Sequence, residues 1–451
     1  MNINPANTVF VVLSFEGPDQ YSMAGALGAR VTHLPNTLAD IGYHVHHFFI
    51  GDPEMGGYEA LKEGKLTLHR WCQWISQYYP EGVYYGEEGK LYDFIESAPS
   101  FVLNEVVITT INEGKLVVIL GEEWHTAEIM CRLSELLVKS GIRDRVLMFW
   151  NANSTYGFDR TDWKRLSHLT TITTVSKYMK QVLLDMEIDA LIIPNGIPET
   201  LMDAADERDV SRLKEAIDAD FTLSKVARWQ PDRGWEAAIE LVNRLKENGT
   251  KPVLLACGNA EPYRVKIAQK AIALGLTIGD VCIDGDIDEY HRAAELKEEF
   301  SPYLEAISRA APADILNFLI PIPHSFLRII YQASNVVLAN NTRTPFGLAG
   351  LEAMAVGALV FTGCNGEDYA SHMSNAVVLD SQRVEEMDFY LDYLKKHPVT
   401  RGKISTDAKR TSRRWTWKEI VNTLICKLEY QAEIQGVSIP TDRINPDNAG
   451  G

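Results

Sequence analysis

Short apolar runs of strand length alternate with segments of helical period along almost the whole chain, which restricts the fold to parallel sheets wound by crossover helices. Strands are expected near Thr8–Phe15, His44–Ile50, Lys115–Leu120, Val146–Asn151, Thr171–Val175 and Leu191–Ile193. Helices fall between them, notably Ala24–Ile41, ended by Gly42, and Ala127–Ser140, ended by Gly141. The pattern turns acidic around Pro198–Asp209. It restarts with Phe221–Ala227, followed by Pro252–Cys257, Val281–Asp284, Asn335–Ala339, Leu359–Thr362 and Ala376–Leu379. A chain of 451 residues exceeds one hydrophobic core, so two α/β domains are expected, 1–203 and 204–411. A helix lies within 412–435, and a tail rich in breakers, 436–451, closes the chain. Residues 52–110, rich in tyrosine and tryptophan, and 286–330, with extra helices, are read as inserts.

Composition removes several function classes. A formal charge of −17 opposes sustained contact with nucleic acid or an anionic membrane surface. No run of eighteen apolar residues occurs and the amino terminus has no secretory pattern, so a cytoplasmic protein without integral membrane association is expected. The six cysteines are scattered without CxxC pairs, which indicates neither a disulfide framework nor a zinc site. His44, His46 and His47 are not a metal set, because strand alternation sends the third to the opposite face. Asp284-Gly285-Asp286-Ile287-Asp288 imitates an acidic metal motif only superficially. Neither a metal nor another cofactor is expected.

The candidate chemistry gathers at strand ends. In Thr342-Arg343-Thr344-Pro345-Phe346-Gly347-Leu348-Ala349-Gly350-Leu351-Glu352, small residues open a short helix and deliver one carboxylate near its start. Asn341, Phe346, Gly347 and Leu348 let a ligand approach the backbone, the helix end favours an anion, and Glu352 can accept from a pair of sugar hydroxyls. Thr344-Pro345 fits a helix N-cap and first helical position. Arg228 and Arg233 follow the strand Phe221–Ala227, where two guanidiniums can hold phosphates; the competing reading is a solvated arginine pair. His125, in Gly121-Glu122-Glu123-Trp124-His125-Thr126-Ala127, lies beyond a strand at a helix start, where a neutral imidazole can donate and accept. Gly25 and Ala26, after the first strand, present backbone amides to a phosphate, or serve helix packing alone. Asn151–Arg160 is a polar, turn-prone loop, and the aromatic residues of 52–110 either stack on sugar rings or fill a core.

Several of these segments resemble the GT-B glycosyltransferases, especially retaining family 4 enzymes and the glycogen and starch synthases. The resemblance rests on LEAMAVGALVFTG around Glu352, on KVARWQPDRGWEAAIEL around Arg228 and Arg233, and on GEEWHTA, which is similar to the HDWHTA of glycogen synthases. The loop Gly363-Cys364-Asn365-Gly366-Glu367-Asp368 resembles the family's glycine-rich turn, and Thr174–Lys177 and Ile193–Pro198 match structural landmarks. The chain departs where Arg233 replaces a lysine, where Thr344 replaces a glutamate that touches the donor sugar, and where Met23 and Ala26 replace the lysine and second glycine of the KTGGL loop. The resemblance implies two facing Rossmann-like domains, a final helix returning to the first, and domain closure that excludes water. It implies metal-independent, retaining transfer of a hexose from a UDP-, GDP- or ADP-sugar to a hydroxyl acceptor, a saccharide or small metabolite, with an α-linkage formed. Arg228 and Arg233 would stabilise the leaving phosphate, Glu352 would hold ribose and His125 would orient the sugar. A homo-oligomer is compatible with this reading. The loss of a carboxylate at Thr344 also admits a non-catalytic sugar-nucleotide-binding subunit, and the architecture admits a phosphorylase or epimerase.

Overall fold

The computed structural model describes residues 2–258, 261–297 and 299–437. Residues 438–451, most of the expected tail, lie outside the described residues. The chain divides into two compact units, one comprising the residues up to Gly196 with those from Trp417 onward, the other Ile197–Thr416. The divisions thus fall at 196/197 and 416/417 rather than 203/204 and 411/412.

Among the described residues the first unit carries eight strands: β1 (Thr8–Leu13), β2 (His44–Ile50), β3 (Tyr58–Leu61), β4 (Leu66–Trp71), β5 (Leu116–Glu122), β6 (Val146–Ala152), β7 (Thr171–Thr174) and β8 (Leu191–Ile192). Their order is β3-β4-β2-β1-β5-β6-β7-β8, parallel except for β3 against β4. Every residue of β1, β5 and β6 is buried, as expected of strands with both faces covered. Leu27, Val31, Leu34 and Leu38 form the buried stripe of the helix Ala26–Ile41. That helix stops at Gly42, which takes the left-handed φ of 114° and donates its N–H back to Ala39. The helix Trp417–Gln435 belongs to this unit, where Ile3 donates to Glu429 Oε1 at 2.8 Å and Gln435 to Thr171 Oγ1 at 3.1 Å.

The second unit has β9 (Phe221–Val226), β10 (Pro252–Cys257), β11 (Ile278–Val281), β12 (Ile315–Phe318), β13 (Val336–Ala339), β14 (Val360–Thr362) and β15 (Val377–Val378), in the order β11-β12-β10-β9-β13-β14-β15 and wholly parallel. Its core joins Leu223, Leu254, Leu338 and Phe361 from the strands to Ile239, Leu241 and Val242 from the helix Trp235–Glu247.

Both inserts contain sheet that sequence patterning missed. β3 and β4 lie within 52–110 and β12 within 286–330, beside the helices Ile287–Lys297, Ser301–Ala310 and His324–Ala333. β3 is a half-exposed edge and β12 is only four residues long, too short to show a period. β11 lies earlier than the expected Val281–Asp284. Among the described residues one helical stretch, Glu87–Asn112, is long and apolar enough to cross a membrane, and half of its apolar window is buried within the protein.

Strand order reverses beside β1 and β5 in the first sheet and beside β9 and β13 in the second, and the crevices beyond the carboxyl ends of such strands are where open α/β sheets bind ligands. At the first reversal, Arg30 Nε meets both oxygens of Glu122 at 2.9 Å. The pair is almost wholly buried and is completed by Asn151, donating to Glu122 at 2.8 Å, and by Asn195, accepting from Arg30 at 3.0 Å. Cutting one side of such a pair strands a buried charge. Arg30→Ala is therefore expected to lower unfolding stability by about 3–5 kcal/mol, and Arg30→Met with Glu122→Leu by clearly less, as read from denaturant melts.

Candidate functional site

The loop leaving β9 is built around Gly234. Its φ of 68° is left-handed, and a Cβ there would lie 2.3 Å from the carbonyl of Asn340, so only glycine fits. Trp229 and Trp235 stack at 3.7 Å, and Trp235 Nε1 donates to the carbonyl of Arg228 at 2.9 Å. Thr342 closes the turn from the neighbouring loop, its N–H and Oγ1 donating to the carbonyl of Asp232 at 2.9 and 3.0 Å. This stitching leaves Arg228 exposed and Arg233 largely covered. The Arg233 Nε–H is buried without a hydrogen-bond partner, and the Asp232 carboxylate stands 3.6 Å away. Burial lowers the pKa of Arg233 and the Arg228 charge lowers it further, while Asp232 and Glu367 act in the opposite sense.

Beyond β13, Asn340 is fully buried. It accepts from Lys225 at 2.6 Å and donates to the carbonyl of Gly234 and to Gln382. Asn341 is buried with its Oδ1 unpartnered. Thr344 is not the expected helix cap. Its hydroxyl donates to the carbonyl of Phe346 at 3.4 Å, and the helix Leu348–Ala355 starts later, with Gly347 at its N-cap. The reason is Phe346, buried near Tyr369 and Trp415 with ring centres at 5.9 and 5.8 Å, which fixes Pro345-Phe346 as a loop. Gly347 is buried and Leu348 half-buried. Glu352, half-buried in the second turn, accepts from the buried hydroxyl of Tyr331 at 3.2 Å through Oε2. Tyr331 had no signal in the sequence beyond that of an apolar helix.

The loop after β14 supplies a residue whose carboxylate was given no role by its motif. Glu367 is buried, both of its oxygens lack hydrogen-bond partners, and burial raises its pKa well above the carboxylate range. The Asn341 side chain and the Arg233 charge favour its charged form without outweighing that burial. Tyr369 donates to the carbonyl of Gly347 and feels the charge of both Glu367 and Glu352. Arg228, Arg233, Glu367, Gly347 and Glu352 thus belong to one continuous constellation at the reversal of the second sheet.

At the reversal of the first sheet, two expectations change. Gly25 and Ala26 are exposed at the start of the helix Ala26–Ile41, but the carboxylate of Glu16 already accepts there from Ala24 and Gly28 at 3.1 and 2.8 Å. One anion therefore occupies the helix end expected to receive a phosphate, and a second would be repelled. His125 is not open. Its ring is 2% exposed, stacked on Phe15 at 4.1 Å with Trp124 at 4.0 Å, and its Nε2 lies 2.7 Å from Glu87. Burial lowers its pKa more than Glu87 raises it, so the ring is neutral, donating through Nε2–H and leaving Nδ1 an unpartnered acceptor. It borders a cavity of about 210 Å³ with Trp124, Arg160 and Asp162, and the Arg160 guanidinium lies 4.2 Å from the Trp124 ring centre.

Glu123 was missed entirely. It has φ 66° and ψ 168°, a region that essentially only glycine adopts, at a cost of about 1–3 kcal/mol. Burial, and then the neighbouring Glu122, raise its pKa to about 8. The adjacent acids at a strand end were the available signal. Elsewhere in the unit, His46 pairs with His69 at 3.1 Å and His47 with Ser14 at 2.8 Å. Among the described residues no group of three or more His, Cys, Asp or Glu side chains is placed to hold a metal.

Comparison with known proteins then places the chain. Residues 207–411 match the family described as glycosyl transferases group 1. No curated protein matches the sequence. Among solved structures, sucrose-phosphate synthase from Thermosynechococcus elongatus has a TM-score of 0.64 at 16% identity, covering 95% of this chain and 99% of that one. The catalytic domain of starch synthase IV from Arabidopsis thaliana, bound to ADP and acarbose, gives 0.61 at 14%, covering 95% and 99%. Anabaena HepE in complex with UDP-glucose gives 0.60 at 12%, covering 94% and 100%. The shared architecture is GT-B, with two Rossmann-like parallel-sheet domains.

The proton on Glu123 yields a pH test. With a folded pKa of about 8 against an ordinary 4.5, the folded state keeps a proton that the unfolded chain releases between those values. The associated stability is complete below the lower value and is lost as pH rises through the upper one. Glu123→Gln is expected to raise the melting temperature relative to the parent, with a gain that grows from pH 5 to pH 8 in paired thermal melts.

Proposed function

We propose that the chain, whose residues 207–411 match the group 1 glycosyl transferases and whose fold is GT-B, is a glycosyltransferase that transfers a hexose from a nucleoside diphosphate sugar to a hydroxyl acceptor, with retention and without a metal ion. The observation that carries this reading is the pairing of Arg228 with the half-satisfied guanidinium of Arg233 at the reversal of the second sheet, in the same unit as Glu352. Two guanidiniums there meet both phosphates and neutralise charge that grows on the leaving group, the task a divalent ion performs in other transferases. Tyr331 fixes one oxygen of Glu352, and the other accepts from ribose hydroxyls. UDP-glucose in HepE and ADP in starch synthase IV support a donor of this class, drawn from the UDP-, GDP- and ADP-hexoses.

The acceptor oxygen forms its bond to the anomeric carbon on the face from which the phosphate oxygen departs. The acceptor proton passes to that phosphate, and an α-linkage results. His125, neutral and fixed by Glu87, has only its Nδ1 lone pair to offer and in this role acts as a hydrogen-bond acceptor, not as a nucleophile. A second reading, a sugar-nucleotide-binding subunit without turnover, draws on Thr344, whose hydroxyl is engaged by its own loop and which brings no carboxylate.

Thermal stabilisation by a panel of UDP-, GDP- and ADP-sugars, followed by diphosphate release, separates the two readings. Release that persists in EDTA and a product with the donor's anomeric configuration by NMR are expected. Binding with neither transfer nor slow hydrolysis of any donor favours the second reading. Arg233→Ala is expected to weaken nucleoside diphosphate binding by about 10- to 100-fold, the loss of one charge-assisted contact, in isothermal titration.

A further inference from the structure

We infer that Glu367 reads the sugar of the donor, accepting hydroxyl hydrogens of the hexose on a carboxylate set between Gly347, Asn341 and Arg233. This rests on the nucleotide-sugar reading above and adds the residue that recognises the monosaccharide. A carboxyl group presents lone pairs on both of its oxygens, and neither oxygen of Glu367 has a hydrogen-bond partner among the described residues. Beside it, Asn341 Oδ1 is an unused acceptor and Arg233 Nε–H an unused donor. Buried polar atoms are nearly always paired, so several such atoms in one place point to a missing partner.

The chemistry of that partner follows from the set. An anion would face the lone pairs of Glu367 and Asn341, a cation would be opposed by Arg233, and an apolar group would leave all of them unpaired. A neutral polyol, whose hydroxyls both donate and accept, satisfies every one. The backbone is shaped to hold the carboxylate in place. A Cβ on Gly347 would lie 2.4 Å from Glu367 Oε1, and Gly366, with a left-handed φ of 81°, lets the turn pass where a Cβ would meet the carbonyl of Thr344 at 2.1 Å. Tyr369, two residues on, anchors the same turn to the carbonyl of Gly347. Thr344, buried with its hydroxyl turned to the carbonyl of Phe346, leaves the acidic contact to Glu367.

Isothermal titration of the full chain with UDP, GDP and ADP, and with their glucose conjugates, tests this. Glu367→Gln is expected to bind its preferred diphosphate within about 2-fold of the parent while losing about 10-fold or more in affinity for the corresponding sugar conjugate, as expected when an accepting oxygen becomes an amide NH2 and the hydroxyl facing it is left unpaired. Glu367→Asp, which keeps the carboxyl and withdraws it by one methylene, is expected to show the same selective loss and guards against poor folding of the first variant. Equal weakening of diphosphate and conjugate, or no change in either, would overturn the assignment of Glu367 while leaving the nucleotide-sugar reading intact. Failure of the parent to bind any of the three diphosphates would overturn that reading and this inference with it.

Discussion

A single ammonium group buried in the second sheet underlies the arrangement of its loops. Lys225, fully buried on β9, reaches across to the carbonyl of Leu338 on β13 at 3.2 Å and to Asn340 at 2.6 Å, and lies 5.4 Å from the ring centre of Trp235. Burial, and then the charge of Arg233, lower its pKa to about 7. Placing a lysine there is costly unless its donors are met, and the groups that meet them come from the strand on the other side of the reversal. Asn340, oriented by this contact, in turn holds Gly234 and Gln382. The position of the arginine loop against the Asn341 loop therefore follows from one side chain in the sheet.

The two sheet reversals differ in the charge they leave open. In the second unit the unpartnered groups include a guanidinium N–H, a carboxyl group and an amide oxygen, beside the indole N–H of Trp229 and the hydroxyls of Ser224 and Thr362. In the first they are the indole N–H of Trp124, the neutral ring of His125 and one oxygen of Glu123, whose raised pKa keeps it protonated near neutrality. The charged groups of the first unit are consumed internally, Arg30 by Glu122 and the helix start at Gly25 by Glu16. The open guanidinium thus lies in the second unit, and the first offers neutral hydrogen bonding.

The sheet architecture could be read from the sequence because buried parallel strands such as VVIL in β5 and VLLAC in β10 are continuous apolar runs with helices between them. β3, β4 and β12 escaped because alternation or shortness hid them inside segments read as inserts. At the site, Arg228, Arg233 and Glu352 stood out by their place after strands, where local order and chemistry agree. Thr344 was misread as a cap because its local signal, threonine before proline, was overridden by the burial of Phe346. Glu16 owes its role to Ala24, Gly28 and the distant Tyr84, and Glu367 to the lack of any partner, which no local pattern announces. Solvation of a carboxylate is a tertiary property.

The return of the helix Trp417–Gln435 to the first unit makes the second an insertion within it. Biosynthesis consequently runs against the usual amino-to-carboxyl order of domain completion. While the ribosome is still adding the second unit, the helix Ala26–Ile41 lacks the Trp417 ring that will stack on His33, and the sites destined for Ile420, Val421 and Leu424 remain vacant. The inserted unit can mature first, and the unit begun earliest is the last to be sealed, leaving its nascent form the stage at which a chaperone has most to shield.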